Sequence, residues 1–450
     1  MRWMSSEITN FITFQNLARI KEKEIMTVKE MNSRNGTIYL KQKWSSALHK
    51  IGAFRRHPNQ QLWMLFLSGN IILFVGMGLF PLLPLLDANL GASRASIGLH
   101  YAIMYTAYGL GPIAASRLAG RLGRRTMFVF GAVAGLFALV LLTLASSFWQ
   151  VVALTSLVWF AGGLNNALIS ILTGVYARGN LRGRWFSLMS ISVPLGSLIG
   201  GWTAGKSISV SGYGALFTVQ ALVWIGLVII GLVGLVNPEV EKANNQLSKA
   251  AKSSPNGGLS RAFVPLLVLA LLSGVAINAS RLGSSLSMQA LHFTASMVAS
   301  TTTFSGLAAI PLTLLVGTLA DRYDRKKMLV VTILSTAVGA LLLTAAAQSW
   351  QFTLAATLIL VGFCTNRALT SAVAADLLEK SQLDKGMGIL NATGAASSVI
   401  SFASAGIIID AIGMMGFFIL TALLAVTSLS TFMTHKKTQA EPCLSCPDPA

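Results

Sequence analysis

Seven polar side chains stand inside long apolar stretches of this 450-residue chain, where amides and charges are costly unless they line a cavity or bond to one another. They are Asn70, Asn165, Asn166, Asn278, Arg281, Asn366 and Arg367. The amides offer hydrogen bonds to a polar solute, and the two guanidinium groups offer positive charge to an anion. This set predicts recognition of a small organic solute, of anionic character, in a polar cavity.

The spacing of these residues is helical, since Asn278, Arg281 and Ser285 stand at i, i+3 and i+7. A second interpretation stays open for the asparagines, which also suit hydrogen bonds between packed helices. For the arginines the alternative is a guanidinium held by backbone carbonyls or a helix end. We favour solute binding for them, because the predicted spans contain no central Asp or Glu to neutralise the charge.

Arg281 and Arg367 are predicted at different depths, roughly 15 Å apart at the rise of an α-helix, so they would contact a solute in sequence. Arg281 lies near the outer end of its span, where Asp87 ends the first span. We therefore hypothesise an Asp87–Arg281 pair as an outer gate. An Asp87→Asn variant with unchanged transport and unchanged outward accessibility would contradict that gate.

Long apolar runs carry these residues, and the composition, 54% hydrophobic and 11% charged, is that of a membrane protein. A span of the hydrocarbon core needs about 20 residues. Twelve runs qualify, near 62–87, 95–116, 126–147, 149–175, 185–207, 213–236, 263–287, 294–319, 328–348, 350–375, 386–409 and 412–433. The predicted fold is all-α, and the seven polar residues fall in its first, fourth, seventh and tenth spans.

Basic residues predict the orientation. All but four of the 34 Lys and Arg residues fall on one side of the membrane if both termini are cytoplasmic, the exceptions being Arg94, Lys206, Arg281 and Arg367. Because positive residues concentrate in cytoplasmic loops, we predict a multi-pass plasma-membrane protein, in a bacterium the inner membrane, with both termini inside. The net charge of +19 then reports topology, and no nucleic-acid partner is expected.

Polar segments divide the chain into five parts. They are a basic cytoplasmic N-terminal tail at 1–61, a six-helix bundle at 62–236, a cytoplasmic linker at 237–262, a second six-helix bundle at 263–433 and a cytoplasmic C-terminal tail at 434–450. The basic tail is expected to contact anionic membrane lipids. Whether translation starts at Met1 or at a later methionine stays open.

Signals for enzyme chemistry are missing from the sequence. Cys443 and Cys446 form one CxxC without a second ligand pair, so no metal and no cofactor is predicted. We find no Ser/His/Asp set and no phosphate-binding glycine loop. His100 and His292 are predicted near the outer surface, as interfacial rather than catalytic residues.

A basic motif occurs twice, as SRLAGRLGRR at 116–125 and as GTLADRYDRKK at 317–327. Arg121 and Arg322 stand 201 residues apart, and the same offset aligns Trp149 with Trp350 and Gly212 with Gly413 among other positions. The chain therefore reads as a duplicated membrane bundle, a recurring construction of secondary transporters.

Over residues 62–433 the sequence resembles the major facilitator superfamily. Both copies of the basic motif are similar to the signature loop of that family, GxLaDrxGrR. The resemblance implies two pseudo-symmetric six-helix bundles that rock to give alternating access, with the substrate site between spans one, four, seven and ten. It also implies a charge relay at the loops that locks one conformation.

The relay residues that the resemblance implies are Arg121, Arg124, Asp321, Arg322 and Arg325, with Asp376 or Glu379 as partners in the second copy. The first copy departs from the signature because Gly120 replaces its aspartate, and the second because Asp324 replaces its glycine. The N-terminal relay is therefore in question, and a purely topological role for these charges is the alternative.

Gly196 to Gly201, GSLIGG, resembles the GPxxGG segment of drug-type antiporters with Ser in place of Pro, which favours export. Our interpretation is a monomeric secondary active transporter that exports or exchanges the solute, coupled to a proton or a counter-anion. The alternatives are an organic-anion uptake symporter and, from another class, a transport-incompetent scaffold or sensor on the same fold.

Overall fold

A computed structural model describes residues 58–177, 185, 188–236, 263–378 and 382–439, and all regular secondary structure in these ranges is helical. The chain divides into two compact units, Met1–Gln60 and Gln61–Ala450. Of the first unit the structure describes only residues 58–60, so the predicted N-terminal tail lies almost wholly outside the described residues. The predicted linker at 237–262 and residues 440–450 of the predicted C-terminal tail lie outside them too.

The helices of the described part follow one another with short connections. They are α1 Pro58–Leu79, α2 Leu83–Asn89, α3 Arg94–Leu122, α4 Arg124–Leu142, α5 Phe148–Tyr176, α6 Ser192–Ile229, α7 Val264–Ala290, α8 Ala295–Arg322, α9 Arg325–Leu343, α10 Ser349–Leu377 and α11 Leu383–Gln439. A π-helical turn, Ile230–Gly234, follows α6. Helix α11 thus continues beyond residue 433, where the last span is predicted to end.

The predicted twelve passes are confirmed. Among the described residues, nine helical segments are long and apolar enough to cross a membrane, and two of these, Leu188–Gly234 and Gly386–Thr431, have 47 and 46 residues. Each of the two is kinked, at Gly212 (φ 70°) and at Gly413 (φ 75°), and so makes two passes. The 29-residue α3, whose Arg and His residues lower its hydropathy, makes the twelfth.

Both kinks come from the duplicated sequence. Gly212 and Gly413 are equivalent in the two copies, and a positive φ costs glycine little because it has no Cβ. The N-termini of α5 and α10 repeat in the same way, since Gln150 accepts from the backbone N–H of Ser147 at 3.2 Å and Gln351 accepts from that of Gln348 at 2.9 Å. Equivalent residues therefore build equivalent turns in both bundles.

The first predicted span is broken rather than continuous. Helix α1 ends at Leu79, residues 80–82 form a turn, and α2 begins at Leu83. Pro81 supplies no N–H and Pro84 lies in the first turn of α2, so α1 stops before Pro81 and a separate helix starts at Leu83. The break frees the Phe80 carbonyl, which accepts a hydrogen bond from the Tyr101 hydroxyl of α3.

Helices α1–α6 form one bundle and α7–α11 the other, and their connections alternate between two ends. We call the end with the α3–α4 and α8–α9 connections, which carry the repeated basic motif, the basic end. The α2–α3, α4–α5, α7–α8 and α9–α10 connections mark the opposite end. Each residue of the site lies toward one or the other of these two ends.

Candidate functional site

The predicted cavity asparagines mostly join helices within a bundle. Asn165 of α5 is fully buried, and its amide, oriented to satisfy both partners, donates to Phe128 O at 3.0 Å and accepts from Ala132 N at 3.2 Å. Three other amide nitrogens donate to a hydroxyl of a neighbouring helix: Asn166 to Tyr108 Oη at 2.9 Å, Asn278 to Ser398 Oγ at 3.1 Å and Asn366 to Ser273 Oγ at 3.1 Å. Asn70 instead donates to Phe66 O of its own helix at 2.8 Å. This geometry suits packing between helices.

Two of these amides keep an unused acceptor. The side-chain oxygens of Asn278 and Asn366 are buried and have no hydrogen-bond partner in the described part of the chain. A buried polar atom without a partner costs free energy, so each oxygen suits a water or a solute donor. Both residues lie on helices of the second bundle, α7 and α10.

Arg281 lies between the two bundles. Its guanidinium carbon is 4.1 Å from the ring centroid of Phe80, in the α1–α2 turn, and 4.1 Å from that of Phe363, in α10. Its Nη2 faces Met77 Sδ at 3.7 Å, while Nη1 is buried and lacks a hydrogen-bond partner among the described residues. The described carboxylates leave this charge unpaired, because their ion pairs are with Arg94, His100 and Arg325.

The Arg281 side chain contacts the helix that carries Arg367. The Arg281 guanidinium stacks on Phe363, which is one helical turn, about 6 Å along the axis of α10, from Arg367. The reason is the direction of the side chain, since helical side chains lean toward the helix N-terminus and α7 begins at the basic end. Arg367 is exposed, and its Nη2 donates to Asn391 Oδ1 of α11 at 3.0 Å.

The hypothesised Asp87–Arg281 pair is not formed in the described structure, and its role as an outer gate stays a prediction. Asp87 is fully buried inside the first bundle, where its Oδ2 lies 2.7 Å from His100 Nδ1. His100 is also fully buried, so its predicted place at the outer interface is wrong, and its Nε2 lies 2.7 Å from Thr155 Oγ1.

A small cavity of about 70 Å³ lies beside Arg281, between the bundles and toward the opposite end. Its wall combines this guanidinium with apolar atoms of Met77, Phe80 and Leu360. Hydroxyl groups make up most of the rest of its polar lining, namely those of Ser197, Ser284, Ser285, Thr301, Thr302 and Ser305. Four of these hydroxyls, those of Ser197, Thr301, Thr302 and Ser305, already donate to backbone carbonyls, so it is chiefly the guanidinium that suits an anionic group of a solute.

Close helix packing joins the bundles at the opposite end. A Cβ at Gly98 of α3 would lie 2.6 Å from Phe402 O, and one at Gly406 of α11 would lie 2.1 Å from Arg94 O. Helices α6 and α8 approach as closely, since a Cβ at Gly306 would lie 2.5 Å from Leu198 N. An ion pair of 3.3 Å between Arg94 and Asp410 also links the bundles here.

Toward the basic end the same helices have open space beside them. A Cβ added at Gly120 of α3, Gly317 of α8 or Gly388 and Gly394 of α11 would meet no atom within 4 Å. Arg367 and Asn391 are exposed on this side. Among the described glycines, those whose added Cβ would meet the backbone of the other bundle lie toward the opposite end, so the described structure is closed there.

The Major Facilitator Superfamily model matches the chain twice, over residues 65–287 and 266–442. The chain belongs to the Major Facilitator Superfamily. This membership confirms the resemblance drawn from the repeated loops, the fold of two six-helix bundles and the integral multi-pass character. Among the curated proteins, none matches the chain in sequence.

Solved structures of other facilitators share the fold. A POT family transporter in complex with 5-aminolevulinic acid is 15% identical with a TM-score of 0.68, covering 84% of this chain and 96% of its own. The nucleoside transporter NupG is 13% identical with a TM-score of 0.69, covering 83% and 99%. A bacterial homolog of the human lysosomal transporter Spinster, inward-facing and unoccupied, is 12% identical with a TM-score of 0.66, covering 85% and 98%. At these identities the likeness shows the fold.

Family and fold make this facilitator a secondary transporter and confirm that it is not an enzyme. The drug-antiporter subgroup, which the GSLIGG segment suggested, stays a prediction.

The signature loops of this facilitator turn by different means. The first copy turns at Gly123 with φ 85°, whereas in the second Asp324 caps α9 by accepting from Lys326 N at 2.9 Å. The missing signature glycine is thereby explained, since a capping carboxylate replaces the left-handed turn. Arg121 and Arg322 are exposed, and the Asp321 side chain lies outside the described part.

Each loop also anchors an arginine. Arg325 Nη1 donates to both carboxylate oxygens of Asp376, at the end of α10, at 3.0 and 3.1 Å. In the first bundle Arg125 donates to the carbonyls of Gly231 and Leu232 in the π-helical turn. Arg124 is half-buried with interactions of its own. The predicted locking role of these loops stays a prediction.

Sequence reasoning missed several residues of the site. Phe80 and Phe363 hold Arg281, Tyr105 of α3 neighbours its guanidinium, and His100 and Thr155 hold Asp87. The aromatic residues carry no signal of their own in an apolar span. His100 did carry one, because an imidazole inside an apolar run needs a polar partner.

Proposed function

We propose that this facilitator exports or exchanges a small organic anion by alternating access, and that Arg281 binds the anionic group. Coupling is to a proton or a counter-anion. The observation that carries the proposal is the position of Arg281 between the bundles, with Nη1 buried and unbonded and with no described carboxylate to neutralise it.

The aromatic rings hold the Arg281 charge without cancelling it. A cation–π contact contributes about 0.5–2 kcal/mol, which offsets part of the cost of removing a guanidinium from water. An anion would supply the missing charge and bond to Nη1. Phe80 and Phe363 belong to different bundles, so a solute bound to Arg281 contacts a side chain that packs against both bundles.

The size of the cavity fits a closed state. Small-molecule sites typically enclose about 300–1,000 Å³, well above the 70 Å³ here. The present cavity therefore admits an anionic group but not a whole organic solute. Separation of α3 from α11 and of α6 from α8 would enlarge it toward the opposite end.

Arg367 is the second cationic contact in this proposal. It is exposed toward the basic end and lies one turn of α10 from Phe363, where the Arg281 guanidinium is stacked. An anion that enters from the basic end would meet Arg367 and Asn391 before Arg281. Predicted cytoplasmic loops make this end the cytoplasmic side, which agrees with export.

Two other functions are kept as alternatives. Uptake of an organic anion would use the same arginines in the reverse direction. A transport-incompetent scaffold or sensor would keep its function in both Arg281→Ala and Arg367→Ala variants but lose it on deletion of residues 1–61.

Reconstitution into proteoliposomes tests the proposal. Uptake and efflux are measured with small monocarboxylates, dicarboxylates, neutral amides and organic cations, each with and without an imposed pH gradient. We expect flux of at least one carboxylate, and its loss in Arg281→Ala while the variant stays folded and inserted. Lys206→Ala is the charge-matched control, because Lys206 is an exposed residue of α6 outside the site and outside the repeated basic motif. Exclusive flux of cations, or full carboxylate flux in Arg281→Ala, would contradict the proposal.

A further inference from the structure

A second polar cluster lies inside the first bundle, formed by Asp87 of α2, His100 of α3 and Thr155 of α5. Both members of the Asp87–His100 pair have side chains that are 0% exposed, at an Oδ2–Nδ1 distance of 2.7 Å. Asp87 is the buried carboxylate among the described side chains, and its Oδ1 has no hydrogen-bond partner there. Arg281 binding does not use this cluster.

The hydrogen-bond pattern of the cluster depends on whether the Asp87–His100 pair carries an added proton. Thr155 Oγ1 lies 2.6 Å from Val151 O and 2.7 Å from His100 Nε2, and its one proton serves a single acceptor. With a proton added to the pair, Nδ1–H donates to Asp87, Nε2–H donates to Thr155, and Thr155 donates to Val151 O. Without that proton, Thr155 must donate to Nε2, and Asp87 leaves one net negative charge in the bundle.

The surroundings do not neutralise that negative charge. The titratable groups facing the pair are the hydroxyls of Tyr101 in α3 and Tyr213 in α6, while α5 contributes Thr155 and the ring of Phe148. From the second bundle, Arg281 of α7 acts on Tyr101 but forms no ion pair with Asp87. An uncompensated buried carboxylate is costly, so the unprotonated pair favours a state in which water reaches it.

The pair is adjacent to the contacts that close the opposite end. Tyr101, next to His100, donates to Phe80 O, and its ring centroid is 5.4 Å from that of Phe402 in α11. Phe80 in turn stacks on Arg281. A change of charge at Asp87 and His100 therefore acts on residues that touch both α7 and α11 of the second bundle.

We propose that the Asp87–His100 pair binds the coupling proton of this transporter and that proton binding stabilises the state closed at the opposite end. The inference rests on the proposed transport cycle, whose coupling ion it names. The step is proton exchange between the pair and water, with no other reactant. Proton release leaves the negative charge described above and shifts the equilibrium toward opening at the opposite end.

Distance measurements by electron paramagnetic resonance test this without any solute. Spin labels are attached at Leu144→Cys and Ala345→Cys, exposed equivalent positions of the two bundles at the opposite end, with Cys364, Cys443 and Cys446 replaced. We expect the distance between the labels to lengthen as pH rises. The double variant Asp87→Asn/His100→Gln, which keeps hydrogen-bonding amides without titratable groups, should lose this dependence.

Two further variants keep the test decisive. His100→Gln alone should move the midpoint of the transition by about one pH unit or more, because the carboxyl then titrates without the imidazole. His292→Gln, in an exposed turn at the same end, should behave as the unmodified protein does. A distance that does not change with pH, or a double variant that keeps the full change, would overturn the inference while leaving Arg281 to be tested by flux.

Discussion

Arg281 keeps its charge between two aromatic rings, whereas the nearby carboxylate of Asp87 is taken by His100. The sequence alone does not predict that Asp87 is paired and Arg281 is not, since both residues belong to the outer half of their spans. What separates them is the partner that each side chain meets: Phe80, in the turn at residues 80–82, stacks on the guanidinium, while His100 of α3 pairs with the Asp87 carboxylate. Arg281 is consequently available for a solute.

Asn165 gives a prediction at this scale. Its amide bonds to the backbone of α4 and is fully buried, so Asn165→Ala should lower stability by about 1–3 kcal/mol, the cost of unsatisfied buried partners. Thermal unfolding in detergent measures the change. Asn70→Ala is the control, because the Asn70 amide bonds to a carbonyl of its own helix and should cost less. Equal stability of Asn165→Ala and the unmodified protein would contradict this assignment.

At the scale of helices, glycines decide where the bundles meet. Gly98, Gly306 and Gly406 allow backbone contact between bundles, whereas Gly388 of α11 lies beside open space. Periodicity and repeats in the sequence predict the twelve passes and the equivalent loops. They do not predict which glycines meet a partner helix, because that depends on the conformation of the carrier.

Gly406→Ala should open the contact between α3 and α11, because its Cβ would lie 2.1 Å from Arg94 O. The measurement is labelling of a cysteine at the cavity residue Ala356 by an impermeant maleimide added at the opposite end, after replacement of the native cysteines. We expect labelling several times faster than in the parent. Gly388→Ala adds the same methyl group where no atom lies within 4 Å and should leave the rate unchanged. Equal rates in both variants would refute the contact.

The Arg325–Asp376 pair is predicted to act on the transport cycle rather than on stability. Its side chains are 45% and 53% exposed, so the pair contributes about 0–1 kcal/mol to folding. Arg325→Asp and Asp376→Arg should each slow flux several-fold with little change in thermal unfolding, and the double exchange should restore it. If the double exchange does not recover flux, the ion pair between these two side chains does not control the transport rate.

At the scale of the whole molecule, the two bundles touch at the opposite end and have open space beside equivalent helices at the basic end. Duplication explains why the architecture was predictable, since Gly212 and Gly413 kink equivalent helices. The site was less predictable, because its parts come from α1, α3, α7 and α10 and depend on side-chain direction. Arg281 illustrates this, with a guanidinium stacked on Phe363, one turn of α10 from Arg367.

The central claim is that Arg281 selects an anionic group between the bundles, and a matched pair of solutes tests it most directly. Flux of a transported carboxylate is compared with flux of its neutral amide in proteoliposomes. We expect a strong preference for the carboxylate, which Arg281→Gln should abolish and Lys206→Ala should preserve. An unchanged preference in Arg281→Gln would contradict it.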